Sequence, residues 1–215
     1  MAIKKDREYR NMVLEVRTAD GTEPELEERK IVRGYASTFN EPYTLYRGDD
    51  WRLDEVVDSR AFDNTDMSDV IMQYDHEGRV FARMSNNTLT VTPDDKGLLI
   101  EADLGGTELG RQLYEEIRGG YTNKMSFGFT VDGENEAKER VDGTTVYTRT
   151  ITSVRKLYDV SAVSIPANDA TSISVRNLTD GVIEKIQAER LEAEALELKR
   201  RKLMLEITLT EVSND

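Results

Sequence analysis

The stretch Lys124-Met125-Ser126-Phe127-Gly128-Phe129 alternates between bulky and small side chains. A period of two is that of a strand, so Met125, Phe127 and Phe129 fall on one face and Ser126 and Gly128 on the other. A hydroxyl on a face otherwise cleared of bulk suits a strand that offers an oxygen to an approaching group, and Gly128 lets a backbone or ligand come close. Serines on strands are common and most are inert. What singles out Ser126 is the rest of the composition: the 215 residues contain one histidine, His76, and no cysteine. Covalent acyl chemistry in this chain therefore needs a hydroxyl nucleophile, with His76 as the available imidazole base.

Working outward, the strand is preceded by a helix at 108–118, capped by Thr107, with Leu109, Leu113 and Ile117 on one face and Gly119-Gly120 as its stop. Upstream, strands are expected at 12–17, at 30–39 with Gly34 a candidate bulge, and at 70–74, the last running straight into Asp75-His76-Glu77-Gly78. A hairpin is expected from 89–91 and 97–103 about the turn Pro93-Asp94-Asp95-Lys96-Gly97. Residues 43–54 read as a polar and aromatic flap in which Trp51 is a packing anchor, and Asp58 or Ser59 as the cap of a short helix at 60–63. Downstream, 132–143 reads as an acidic loop, followed by strands at 144–151 and 156–165. A charged helix then runs from about 181 to 208, with a thin heptad-like seam at Val182, Ile186, Ala193, Leu196, Leu203 and Ile207. The expected architecture is mostly β with two or three helices: a β-rich body at 1–177 and a charged helical tail at 178–215.

Composition limits what such a chain does. Hydrophobic residues are 38% and charged residues 33%, so part of the chain is solvated helix or tail. The net charge of −13 argues against nucleic acid and for a basic partner segment. No apolar run approaches the roughly 20 residues of a membrane span, and residues 1–10 are charged, without the apolar core of a signal peptide. The absence of cysteine removes disulfides, thiolate metal sites and thiol catalysis, and suits a reducing compartment. One histidine and carboxylates alone make a poor zinc set, so a metal-dependent hydrolase is disfavoured and no cofactor is expected.

Asp159 is the third polar candidate. In Lys156-Leu-Tyr-Asp-Val-Ser-Ala-Val-Ser-Ile165 the alternation puts Leu157, Asp159 and Ser161 on one face. A carboxylate inside so apolar a strand needs a partner. Two pairings stand: with the imidazole, holding its tautomer, or with Arg155 or an arginine of a neighbouring strand. Asp75 and Glu77 flank His76 but point away from it. Backbone N–H groups at Gly119, Gly120 and Gly128, or the side chains of Arg79 and Arg83, are candidates to meet an oxyanion.

Four stretches carry a family resemblance: Gly34-Tyr-Ala-Ser-Thr-Phe39, Tyr74-Asp-His-Glu-Gly-Arg-Val-Phe-Ala-Arg83, the helix and Gly-Gly leading into Met125-Ser-Phe-Gly-Phe129, and Leu157-Tyr-Asp-Val-Ser-Ala-Val-Ser-Ile-Pro-Ala167. In this order, across about 12–175, the chain resembles the prohead maturation proteases of tailed bacteriophages, the caudovirus prohead serine protease family. The resemblance implies the fold of the herpesvirus assemblin proteases, a β-barrel surrounded by helices, and a histidine–serine–third-member order in which His76 is the base, Ser126 the nucleophile and Asp159 the third residue, where many relatives carry glutamate. It also implies cleavage of scaffold, or of a scaffold-like segment of the major capsid protein, inside the assembling prohead in the host cytoplasm. A homodimer or higher oligomer, and a tail that targets the enzyme or is cut by it, belong to the same implication. The competing function is a non-enzymatic assembly module that binds capsid or scaffold, to be preferred if His76 and Ser126 lie far apart.

Overall fold

The computed structural model describes residues 7–12, 17–18, 29–164 and 173–212. The chain divides into two compact units, Met1–Val175 and Arg176–Asp215.

In the first unit, the strands β1 (Glu8–Met12), β2 (Arg17–Thr18), β3 (Ile31–Thr38), β4 (Tyr43–Arg47), β5 (Trp51–Val57), β6 (Ile71–Tyr74), β7 (Glu77–Arg83), β8 (Leu89–Pro93) and β9 (Gly97–Asp103) precede helix α1 (Glu108–Arg118). Two long strands follow, β10 (Lys124–Val141) and β11 (Thr144–Val163). One sheet has the order β1-β10-β11-β5-β4, with β6 and β7 branching from β11; the other has the order β2-β3-β9-β8. The branch arises because β11 is long enough for two parallel partners on one edge, β5 against Thr145–Ile151 and β6 against Asp159–Ala162. The sheet path ends at β1 and at β4, and no closed barrel forms among the described residues. The expected barrel is thus replaced there by a branched sheet and a smaller second sheet.

The alternation at 125–129 holds: Met125, Phe127 and Phe129 are fully buried in the core with Ile100 and Leu98 of β9, Val32 and Ala36 of β3, and Leu113 and Ile117 of α1. Phe127 and Phe129 stack with centroids 4.5 Å apart. Thr107 caps α1 by accepting the Gly110 N–H at 2.9 Å, whereas Leu109 turns outward and is 39% exposed. Trp51 is a packing anchor, buried against Tyr46 and Tyr147.

Five readings are corrected. The flap at 43–54 is the antiparallel pair β4–β5. Residues 60–63 form turns, with Asp58 accepting the Arg60 N–H at 2.8 Å, and no helix. The β3 bulge lies between Tyr35 and Ser37, just beyond Gly34. The acidic loop at 132–143 is instead strand up to Val141, closed by Asp142-Gly143 with φ of 48° and 84°, the two left-handed residues of a tight hairpin turn. The strands expected at 144–151 and 156–165 are one continuous β11 up to Val163; residue 165 lies outside the described residues, as does most of the strand expected at 12–17.

The second unit consists of helix α2, whose span Ile173–Val212 also covers the last residues of the first unit. Leu196 and Leu203 of the seam are exposed, with Leu191, Leu198 and Met204, and Arg201 donates to Glu197 one turn back at 2.9 Å.

Candidate active site

Three elements bring His76, Ser126 and Asp159 together. Ser126 sits on β10, directly across from Ser161 of β11, and two residues on Gly128 faces Asp159. Cross-strand partners share a face, so Ser126, Gly128, Asp159 and Ser161 form one patch on the side of the sheet away from Phe127 and Phe129.

A β-bulge shapes that patch. Phe129 pairs with Leu157 while Gly128 pairs with Asp159, so Tyr158 is the extra residue. Leu157 consequently returns to the core face, which corrects the expectation that it shares a face with Asp159. Gly128 supplies room: a Cβ there would stand 2.4 Å from Asp159 Oδ2 and 2.7 Å from Tyr9 Cε1.

His76 arrives on a hairpin tip. β6 runs parallel to β11 at Asp159–Ala162 and turns into β7 through Asp75 and His76, with φ of 47° and 60°. Both central residues of a two-residue turn are therefore left-handed without glycine, a conformation that costs of order 1 kcal/mol or more per residue and persists where the surroundings enforce it. Asp75 enforces it here. Its N–H donates to Ala162 O at 3.0 Å, and its carboxylate accepts the Ser164 N–H at 2.9 Å and hydroxyl at 2.8 Å. Asp75 thus anchors the turn, Glu77 is exposed, and the imidazole is aimed at β10 and β11.

The result is a continuous polar chain. His76 Nδ1 lies 2.5 Å from Asp159 Oδ1, and His76 Nε2 lies 2.5 Å from Ser126 Oγ. Ser161 donates its hydroxyl to the same Asp159 Oδ1 at 3.0 Å. Asp159 meets both kinds of partner: Oδ1 faces the imidazole, Arg7 Nη1 stands 3.8 Å from Oδ2, and Arg155 is exposed. Ser126 and Asp159 are buried, and the imidazole, 11% exposed, reaches the surface.

Strand β1 completes the site with groups that the sequence reading passed over. Ser126 Oγ donates to the Arg10 carbonyl at 2.7 Å, and the Tyr9 ring lies 4.4 Å from the imidazole. One hydroxyl hydrogen serves two acceptors in turn. With a neutral ring carrying its proton on Nδ1, Oγ–H donates to Nε2; with an imidazolium, Nε2–H donates to Oγ and the hydroxyl donates to Arg10 O. The Arg10 side chain points to the other face and nails β1 in place. It donates from Nε and Nη2 to Glu55 at 2.6 and 2.9 Å and from Nη2 to Glu8 at 2.6 Å. Arg149 joins the cluster through Glu8 at 2.7 Å, Glu55 at 2.9 Å and Glu134, and the Tyr43 hydroxyl donates to Glu55. Burial opposes the charge on Glu55, but Arg10 and Arg149 outweigh it and hold its carboxyl below the usual range; burial and Glu55 push the Tyr43 phenol well up. The alternation of Glu8-Tyr9-Arg10 was a legible strand signal, hidden by the charge of the N-terminal segment.

The candidate oxyanion groups do not converge. Gly119 and Gly120 spend their N–H groups on Glu115 and Ile117 carbonyls at the end of α1. Gly128 lies within the ladder between Tyr9 and Asp159. Arg83 points to Asp69 at 3.4 Å, and Arg79 is exposed on β7. Among the described residues no cluster of histidine and carboxylates is arranged to hold a metal ion, and no helix is long and apolar enough to cross a membrane.

Compared with known protein families, residues 14–185 match the caudovirus prohead serine protease family. The chain belongs to that family. No curated protein and no solved structure matches it. Membership makes the protein a serine peptidase of phage prohead maturation, acting inside the prohead within the host cell and engaging capsid or scaffold proteins.

Proposed function

We propose that this prohead protease is an endopeptidase whose nucleophile is Ser126, whose general base is His76 and whose orienting carboxylate is Asp159, and that it cuts scaffold or the scaffold-like segment of the major capsid protein. The observation that supports this most is the unbroken contact chain from Ser126 Oγ through both imidazole nitrogens to Asp159 Oδ1. Asp159 keeps the ring proton on Nδ1 and stabilises the imidazolium. Nε2 takes the hydroxyl proton as Oγ bonds to the scissile carbonyl carbon. The imidazolium then returns that proton to the departing amine as the C–N bond breaks, and water releases the acyl group by the same steps in reverse order. Arg79, close to His76 in the chain and exposed, is the proposed cation for the oxyanion. The non-enzymatic alternative needed His76 and Ser126 to lie apart, and their contact speaks against it.

Residues 178–215 are proposed to be a separable tail that brings the enzyme into the shell and is trimmed by it. By the family resemblance the working form is a homodimer or higher oligomer. Co-expression of wild type and Ser126→Ala with the cognate capsid and scaffold proteins, read on gels, tests the central assignment: processing is expected with the first and absent with the second. Wild-type processing by Ser126→Ala would remove the serine from the reaction.

A further inference from the structure

Asp159 is 1% exposed, yet its two oxygens are treated differently. Oδ1 meets His76 Nδ1 and accepts from Ser161. Oδ2 is buried and accepts no hydrogen bond among the described residues. A buried carboxylate oxygen without a hydrogen-bond donor is unfavourable unless a positive charge stands nearby. One does: Arg7 Nη1 lies 3.8 Å from Oδ2.

The position of Arg7 is built. Its guanidinium lies 3.6 Å from the centroid of the Tyr158 ring, and Nη1 donates to the Tyr9 hydroxyl at 3.2 Å. Tyr158 is the bulged residue of β11, so one irregularity both aims Asp159 at the histidine and turns out the ring on which Arg7 lies. Tyr9 in turn rests on the imidazole. Arg7 and Tyr9 alternate with Glu8 and Arg10 along the same segment, so one face of it serves the triad while the other enters the buried ion cluster.

From this arrangement we propose that Arg7 is a positioning residue of the peptidase: the guanidinium, held on Tyr158, fixes the charged Asp159 carboxylate through Oδ2 so that Oδ1 stays in line with His76 Nδ1. The proposal rests on the triad reading above. Arg7 touches neither substrate nor the reacting atoms and acts through Asp159.

The test uses the full chain and two readouts. The first is the rate at which a fluorophosphonate probe modifies Ser126. The second is the downfield Nδ1–H resonance of the imidazole, unambiguous because the chain has one histidine. Arg7→Gln is expected to slow labelling about tenfold and to broaden the resonance, the size usual for a contact that orients a reacting group. Arg7→Lys keeps the charge and is expected to restore most of both; a purely structural role for the arginine would not be rescued in this way. Tyr158→Leu, which removes the platform and leaves the charge, is expected to fall between wild type and Arg7→Gln and covers the case in which Arg7→Gln does not fold. Labelling and resonance in Arg7→Gln equal to wild type would overturn the proposal, as would Arg7→Lys behaving like Arg7→Gln. The triad reading fails separately: wild type would then label no faster than Ser126→Ala, while the imidazole resonance would still report on Arg7.

Discussion

Gly128→Ala separates space from hydrogen bonding at the site. The backbone at Gly128 is ordinary strand, so alanine fits its conformation, and the N–H is kept. The new methyl has nowhere to go: Asp159 Oδ2 is 2.4 Å from its position, where ordinary contact begins at 3.4 Å, and Tyr9 Cε1 is 2.7 Å away. Something must yield by about 1 Å. The carboxylate is held by His76 and Ser161 and the Tyr9 ring lies on the imidazole, so each movement disturbs the triad. A misplacement of about 1 Å in a catalytic group costs on the order of 10²-fold in rate. Overpacking of this kind costs about 1–3 kcal/mol of stability, a drop in melting temperature of several degrees for a chain of this size. Fluorophosphonate labelling kinetics measure the first effect and thermal melting the second. A Gly128→Ala protein that labels at the wild-type rate would refute the reasoning, since the crowding read from the structure would not exist. Gly133→Ala on the same strand, whose Cβ would stand 3.0 Å from a Thr152 side-chain oxygen far along the ribbon, is the control and should label normally.

Asp159→Asn replaces the acceptor-only carboxylate with an amide that can donate to Nδ1 and favour the wrong ring tautomer, and should slow labelling by up to about 10⁴-fold with little change in melting, measured side by side with Ser126→Ala. Combining His76→Ala with Ser126→Ala should add little to either loss in the co-expression assay, because the two act as one unit. Glu55→Gln leaves Arg10 and Arg149 short of a buried counter-charge and should cost about 3–5 kcal/mol in denaturant unfolding. Because the folded Glu55 carboxyl titrates below its ordinary value, its stabilisation is complete above about pH 4.5 and is lost as the pH falls through the folded value; melting curves should show this acid loss in wild type and less of it in Glu55→Gln. A chain ending at Asn177 should keep its β circular dichroism and its Ser126 labelling but enter proheads poorly in a pull-down; loss of the β signal would show that the tail is part of the core.

The local pattern made much of the site legible. The alternation at 125–129 fixed the face of Ser126, the apolar run into Asp75-His76 placed the histidine at a strand end, and the cost of a lone carboxylate in β11 marked Asp159 as paired. What escaped depended on register. The bulge at Tyr158 moves Leu157 to the core face and creates the seat for Arg7, and no periodicity in 156–165 announces it. The cluster of Arg10, Glu55, Arg149 and Glu8 joins three strands remote in the chain, so no local pattern pairs its members. Asp142-Gly143 was a readable turn, but the acidic run before it resembled a loop because both faces of that part of the hairpin are mostly solvated. The same dependence on distant pairing explains why the barrel implied by likeness could not be checked against strand count: β11 takes two parallel partners on one edge, and the sheet path ends at β1 and β4.

The order in which β1, β10 and β11 meet has a consequence for synthesis. Arg7, Tyr9 and Arg10 leave the ribosome first, yet the hydroxyl they surround follows 116 residues after Arg10, and Asp159 comes 83 residues after His76. At roughly 5–20 residues per second, the first strand waits on the order of 6–20 s for the strand that carries the serine. A nascent chain that ends before Asp159 lacks at least one of His76, Ser126 and Asp159. On the proposed triad, an enzyme destined to work among its own assembly partners therefore stays silent until its last long strand, β11, has emerged and paired.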